Sequence, residues 1–213
     1  MNEVTEYAAG RVHGFLHRPS HPTGEGLVLT HGAGGNSRAP LLVAIAEAFA
    51  EAGIFVLRFD LPFRQRRPHG PPSPATAADD RTGIREAAAE LRTLAPGRIF
   101  LGGHSYGGRQ TTMLAAEEPQ IADALLLFSY PLHPPNQPAK LRTAHFPQLR
   151  TPAMFVHGSK DGFGSPQEMQ EALALIPAPT SLAILTSAGH DLSRGKFDLK
   201  SMVVEPFEKF VKR

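Results

Sequence analysis

Short apolar runs rich in Val, Ile, Leu and Phe recur along the chain between stretches of helical composition. The runs are Gly26–Thr30, Ile54–Phe59, Arg98–Gly102, Ala122–Phe128, Ala153–His157 and Ser181–Thr186. Several are continuously apolar instead of alternating, the pattern of strands covered by helices on both faces. Helices are predicted between them over Ala39–Ala52, Ala78–Leu94, Tyr106–Glu117, Pro166–Leu175 and Phe197–Lys212. Ser165 stands as a cap, with Pro166 suited to the first turn behind it. Strand and helix in alternation predict an α/β chain with a mostly parallel central sheet. The opening segment, Val4–Tyr7 and Arg11–His17, alternates weakly and is expected as an antiparallel edge hairpin. No internal repeat or linker divides the chain, so residues 1–213 read as one domain.

Composition narrows the chemistry. With 41% hydrophobic and 20% charged residues the chain is an ordinary globular sequence, able to bury roughly 70% of its unfolded surface. It has no Cys, so disulfides, thiolate metal sites and a cysteine nucleophile are all excluded. A net charge of +2 is no nucleic-acid footprint. Apolar runs such as Ala124–Phe128 fall far short of the roughly 20 residues of a membrane span. The polar segment Met1–Ser20 lacks the apolar core of a signal peptide, and a cytoplasmic protein is expected. Ten His residues raise a metal site, but no H-E-x-x-H occurs and neither metal nor cofactor is expected.

Nine of the 20 prolines fall in two stretches, Pro62–Pro74 and Pro131–Pro138. Both follow predicted strands and are expected as loops at the carboxyl edge of the sheet, where ligands bind in α/β proteins. Gly103-His104-Ser105-Tyr106-Gly107 matches G-x-S-x-G between the strand Arg98–Gly102 and a helix. So sharp a turn exposes the Ser105 hydroxyl, and its glycines remove Cβ atoms that would collide there. Serine needs a base and the base an orienting acid. Asp161 follows the strand Ala153–His157, and His190 follows Ser181–Thr186, in the chain order Ser, Asp, His. Asp191 is a poor orienter of the adjacent ring, Asp123 belongs at the opposite edge, and Asp60 is a weaker substitute. Thr30-His31-Gly32-Ala33-Gly34-Gly35 after the strand Gly26–Thr30 suits an oxyanion hole, with the N–H groups of Ala33 and Tyr106 as donors. It matches neither phosphate-binding glycine pattern.

The segments HGAGG, GHSYGG, HGSKD and AGHD, in this order, resemble the α/β-hydrolase superfamily from about residue 24 onward. Small size and the absence of a helical cap insert look most like its dienelactone-hydrolase-like branch. GHSYGGRQ and SYPLHPP (Ser129–Pro135) resemble the group that includes the testis-expressed and histone-acetyltransferase-complex-subunit hydrolase-like proteins. The resemblance implies an α/β-hydrolase fold without a large cap domain, and a serine hydrolase of small esters, thioesters or lactones. Dienelactone hydrolases characteristically use Cys, so Ser105 departs from them. Some members of the second group look like interaction proteins, which leaves a silent, partner-binding scaffold as the alternative.

Arg58, Arg64, Arg66, Arg67 and His69 cluster in and after the strand Ile54–Phe59. Guanidiniums at the ligand edge suit carboxylate or phosphate recognition, and Arg64 and Arg66 are the candidates. Arg58 and Arg109 are expected to pair with internal carboxylates instead. Tyr130, Pro131, Leu132, His133 and Phe163 are expected in an apolar pocket for a small-molecule substrate. The basic loop lacks the interleaved aromatics of a nucleic-acid surface.

Overall fold

The computed structural model describes residues 2–192 and 197–212. The chain opens with a hairpin, β1 (Glu3–Ala9) and β2 (Val12–Arg18), and continues β3 (Gly26–Thr30), α1 (Pro40–Glu51) and β4 (Phe55–Phe59). A short helix α2 (Pro62–Arg66), a long helix α3 (Ala77–Leu94), β5 (Ile99–His104), α4 (Tyr106–Glu117) and β6 (Ala124–Phe128) follow. The last third holds β7 (Ala153–Gly158), α5 (Pro166–Leu173), β8 (Thr180–Leu185) and α6 (Glu205–Val211). The eight strands of the described residues form one sheet in the order β1-β2-β4-β3-β5-β6-β7-β8. The β1–β2 and β2–β4 pairs are antiparallel and the rest parallel. This is an α/β-hydrolase sheet with helices on both faces and no large cap domain.

Continuous apolar runs arise because each central strand feeds two cores. Leu27 and Leu29 of β3, Leu126 and Phe128 of β6, and Met154 and Val156 of β7 pack under α1 and α6 with Ile45, Phe49 and Phe207. Val28, Leu125, Leu127 and Phe155 point the other way, onto Ile84 and Leu91 of α3, Leu114 of α4 and Met169 of α5. At about 25 cal/mol per Å² of apolar surface removed from water, these two layers supply the main driving force for the fold.

Two expectations need correction. Pro62–Pro74 is not all loop: Pro62 fixes φ at the first turn of α2, where its missing N–H costs nothing. The helix expected over Phe197–Lys212 splits into a π-turn at Lys200–Val204 and then α6, and its approach over 193–196 lies outside the described residues. Elsewhere the strands and helices agree with the sequence pattern to within about two residues.

Candidate active site

Parallel strands share a direction, so the turns after β3, β5, β7 and β8 all reach the carboxyl edge of the sheet. Ser105 sits between β5 and α4 at φ 51°, ψ −114°, a backbone region that costs an L-residue of order 1–3 kcal/mol. The turn closes only without side chains beside it. A Cβ on Gly103 would lie 2.7 Å from the Gly107 carbonyl carbon, and one on Gly107 would lie 2.6 Å from the His31 carbonyl oxygen. The same contacts bring the glycine loop after β3 against the first turn of α4.

Three side chains from separate turns meet here. The Ser105 hydroxyl is 2.8 Å from His190 Nε2, and His190 Nδ1 is 2.8 Å from Asp161 Oδ2 and 3.0 Å from Oδ1. The Asp161 carboxylate is shut from solvent, whereas the imidazole keeps 23% of its surface. Asp161 also accepts from the Phe163 amide at 2.8 Å, so carboxylate and loop fix each other. With Nδ1–H donating to the carboxylate, Nε2 is free to accept the serine proton. The Phe163 ring stacks on His190 with centroids 4.1 Å apart. On the other side, His104 Nε2 donates to the His190 carbonyl at 2.8 Å. Burial, first among its causes, lowers the His104 pKa and so favours the neutral ring.

The other sequence candidates are placed differently. Asp60 accepts from the Ser37 amide at 2.6 Å and takes no part with His190, while Asp123 caps the start of β5 at the opposite edge, accepting from the Ile99 amide. Arg64 does not face a ligand. It is buried, and its guanidinium donates to the carbonyls of Ala33, Gly35, Arg67 and Gly70 at 2.7–3.1 Å, so four of its five N–H donors are spent tying the glycine loop to the segment after α2. Arg66 is exposed and pairs with Asp79. The buried Tyr130 donates its hydroxyl to the Arg142 carbonyl at 2.6 Å. His133 is buried as well, with Nδ1 on the Pro134 carbonyl and Nε2 3.4 Å from Glu168. None of these four lines either cavity at Ser105. Arg58 pairs with no carboxylate among the described residues: it donates to His17 Nε2 and the Ser37 carbonyl and lies over the Phe15 ring. Among the described residues no carboxylate pairs with Arg109 either, and its buried Nε has no hydrogen-bond partner.

Two cavities meet at Ser105, Ala33 and Phe163. One, of about 820 Å³, runs between the glycine loop and the start of α1, walled by Leu41, Leu42, Leu192, Phe197 and Leu199. The other, of about 620 Å³, runs over α4 beneath both proline-rich stretches, touching Pro71, Pro72, Pro74 and Pro131. Sequence reasoning missed Asp80, a buried carboxylate that accepts from the Tyr106 hydroxyl at 2.7 Å and the Phe63 amide at 2.9 Å. Burial raises its pKa, and the two donors pull it back down. It ties α3 to α2 and to the residue that follows the candidate nucleophile. Among the described residues no three His, Asp or Glu side chains converge as a metal site, and no helix is long and apolar enough to cross a membrane.

Comparison with solved structures returns the same architecture. TT1662 from Thermus thermophilus is 21% identical, covering 100% of this chain and 99% of its own, with a TM-score of 0.76. Dienelactone hydrolase from Anabaena variabilis is 19% identical over 100% and 97%, TM-score 0.73. XC6422 from Xanthomonas campestris, described as an a/b serine hydrolase without lid, is 18% identical over 98% and 94%, TM-score 0.70. Identities this low speak to the fold alone. The alpha/beta hydrolase domain model matches residues 23–202, a span that takes in the glycine loop, the Ser105 turn and the Asp161 and His190 turns, and the chain therefore belongs to the alpha/beta hydrolase domain family.

Proposed function

We propose that the chain, acting as one domain, is a serine hydrolase that cleaves a small ester, thioester or lactone through an acyl-enzyme. The observation that carries this reading is the connected chain Asp161–His190–Ser105, with two heavy-atom distances of 2.8 Å, opening onto two cavities. His190 Nε2 takes the Ser105 proton as Oγ attacks the carbonyl carbon, and Asp161 holds the imidazole tautomer and stabilises the imidazolium. The N–H groups of Ala33 and Tyr106 receive the developing oxyanion at the start of α4, where the helix N-terminus favours negative charge. The protonated His190 then passes its proton to the leaving oxygen or sulfur. Water, deprotonated by the same ring, attacks the acyl-enzyme and returns Ser105.

Within the family, GHSYGGRQ and SYPLHPP support a place beside the testis-expressed and histone-acetyltransferase-complex-subunit hydrolase-like proteins. The absence of any Cys sets the chain apart from cysteine-dependent dienelactone hydrolases. A fluorophosphonate probe tests the mechanism directly, because it phosphonylates an activated serine far faster than an ordinary one. Wild type is expected to label, Ser105→Ala to lose labelling while keeping its circular dichroism, and His190→Ala and Asp161→Asn to label at least ~100-fold more slowly. A folded wild type that does not label, or a Ser105→Ala variant that still turns over esters, overturns the reading in favour of a silent scaffold.

A further inference from the structure

The two cavities at Ser105 differ in charge. The larger is walled chiefly by aliphatic and aromatic carbon. The smaller carries three guanidiniums, Arg81, Arg109 and Arg142, and no Asp or Glu lines it. Arg81 is spoken for, with Glu117 at 3.3 Å and Gln110 at 3.2 Å. Arg109 and Arg142 are not: neither forms an ion pair among the described residues, and the buried Nε of Arg109 has no hydrogen-bond acceptor. Arg142 spends one donor on the Pro131 carbonyl at 3.2 Å. Arg109 is one helical turn beyond Ser105, its amide bonded to the Ser105 carbonyl at 3.0 Å, so its side chain is carried by the helix that holds the candidate nucleophile.

Half-buried cations without counter-ions are costly, because each has given up water and gained repulsion. The surroundings register that charge. Burial, followed by the charges of Arg109 and Arg81, lowers the His145 pKa to about 4, and burial with the Arg109 charge lowers that of Arg142. The fold nevertheless fixes the pair in place. The Tyr130 hydroxyl engages both residues, hydrogen-bonding with the Arg109 side chain and donating to the Arg142 carbonyl at 2.6 Å, while the Arg142 amide donates to the Leu132 carbonyl at 2.8 Å. A site that gathers two cations without counter-ions and leaves a buried Arg109 donor unused suits an anion that brings the acceptors.

We infer that the substrate of this hydrolase carries a carboxylate, which docks between Arg109 and Arg142 in the smaller cavity while the apolar remainder occupies the larger one. The inference rests on the serine-hydrolase reading above. It assigns specificity to residues away from the exposed basic loop at Arg66, Arg67 and His69.

The test compares kcat/KM for matched charged and neutral esters. The acyl arm uses mono-nitrophenyl glutarate against nitrophenyl pentanoate, and the alcohol arm uses acetoxybenzoate against acetoxybenzamide. In at least one arm wild type is expected to prefer the anion, and Arg109→Gln and Arg142→Gln to cut that preference roughly 10- to 100-fold, the scale of one charge-assisted contact. Arg109→Lys should restore part of it. Arg66→Gln, which removes the same charge from outside the cavity, should leave the ratio unmoved. A wild-type ratio near unity in both arms overturns the inference, as does a ratio that falls equally in Arg66→Gln. Because fluorophosphonate labelling needs no carboxylate, a labelled wild type without charge preference fails this inference alone, and an unlabelled one fails the underlying mechanism.

Discussion

Arg64 illustrates how a charged side chain can serve a site without touching its ligand. Its four carbonyl partners are Ala33 and Gly35 of the glycine loop and Arg67 and Gly70 beyond α2, so one guanidinium braces the loop that carries the proposed oxyanion donor, the Ala33 N–H. Arg64→Leu should strip several charge-assisted bonds and cost about 3 kcal/mol of stability. It should also lower kcat with little change in KM, since an oxyanion donor acts mainly on the transition state. Ester kinetics beside urea unfolding would check this, and a variant that loses stability with kcat intact would confine Arg64 to a structural role. Ser105, Asp161 and His190 were legible in the sequence because each sits in a short motif tied to the end of a strand. Arg64 and Asp80 were not. Their roles depend on which carbonyls, amides and hydroxyls the fold gathers around them, and neither helical nor strand periodicity encodes that.

At the scale of elements, local chemistry was readable wherever it was self-contained. Ser165 accepts from the Glu168 amide at 3.2 Å, and the Glu168 carboxylate accepts from the Ser165 amide at 2.8 Å, a reciprocal capping box at the start of α5. Met169, Ala172 and Leu173 behind it close one core layer. Ser165→Ala is expected to lower stability by about 1 kcal/mol without changing the proposed hydrolase activity, since the cap lies outside both cavities. Equilibrium unfolding gives the first quantity and steady-state rates the second. A loss above about 3 kcal/mol would mean that the cap also anchors the Asp161 loop. Other elements were opaque because context outweighs composition. In α2, Pro62 begins a helix only five residues long, built around Phe63 packing and the amide bond to Asp80. The π-turn at Lys200–Val204 carries no distinctive residue pattern; it delivers Val203, Val204 and then Phe207 to the core.

Across the whole molecule, burial of neutral imidazoles couples the fold to pH. His17 and His31 are fully enclosed. Desolvation, in each case the largest cause, lowers the pKa of His17, His31 and His145 from 6.5 to about 4. Their neutral forms also have structural work: His17 accepts from Arg58 Nε at 2.8 Å, and His31 accepts from the Leu61 amide at 3.1 Å behind the glycine loop. In the unfolded chain these rings take up protons first, so between pH 6.5 and 4 the unfolded state binds more protons than the native one. Stability is therefore held above pH 6.5 and lost as pH falls toward 4. Asp80, whose pKa burial raises, runs the other way, but it is one group against four imidazoles, since burial lowers the His104 pKa as well. The urea midpoint should drop steadily from pH 7 to pH 4.5, and the drop should be shallower in His17→Gln, which keeps an acceptor for Arg58 but cannot titrate. A midpoint that is flat over that range would show that the buried rings accept protons in the native state. The loop held by His31 would then tolerate charge beside the proposed oxyanion site, and acid inactivation of the proposed hydrolase would have to originate at the Asp161–His190–Ser105 chain itself.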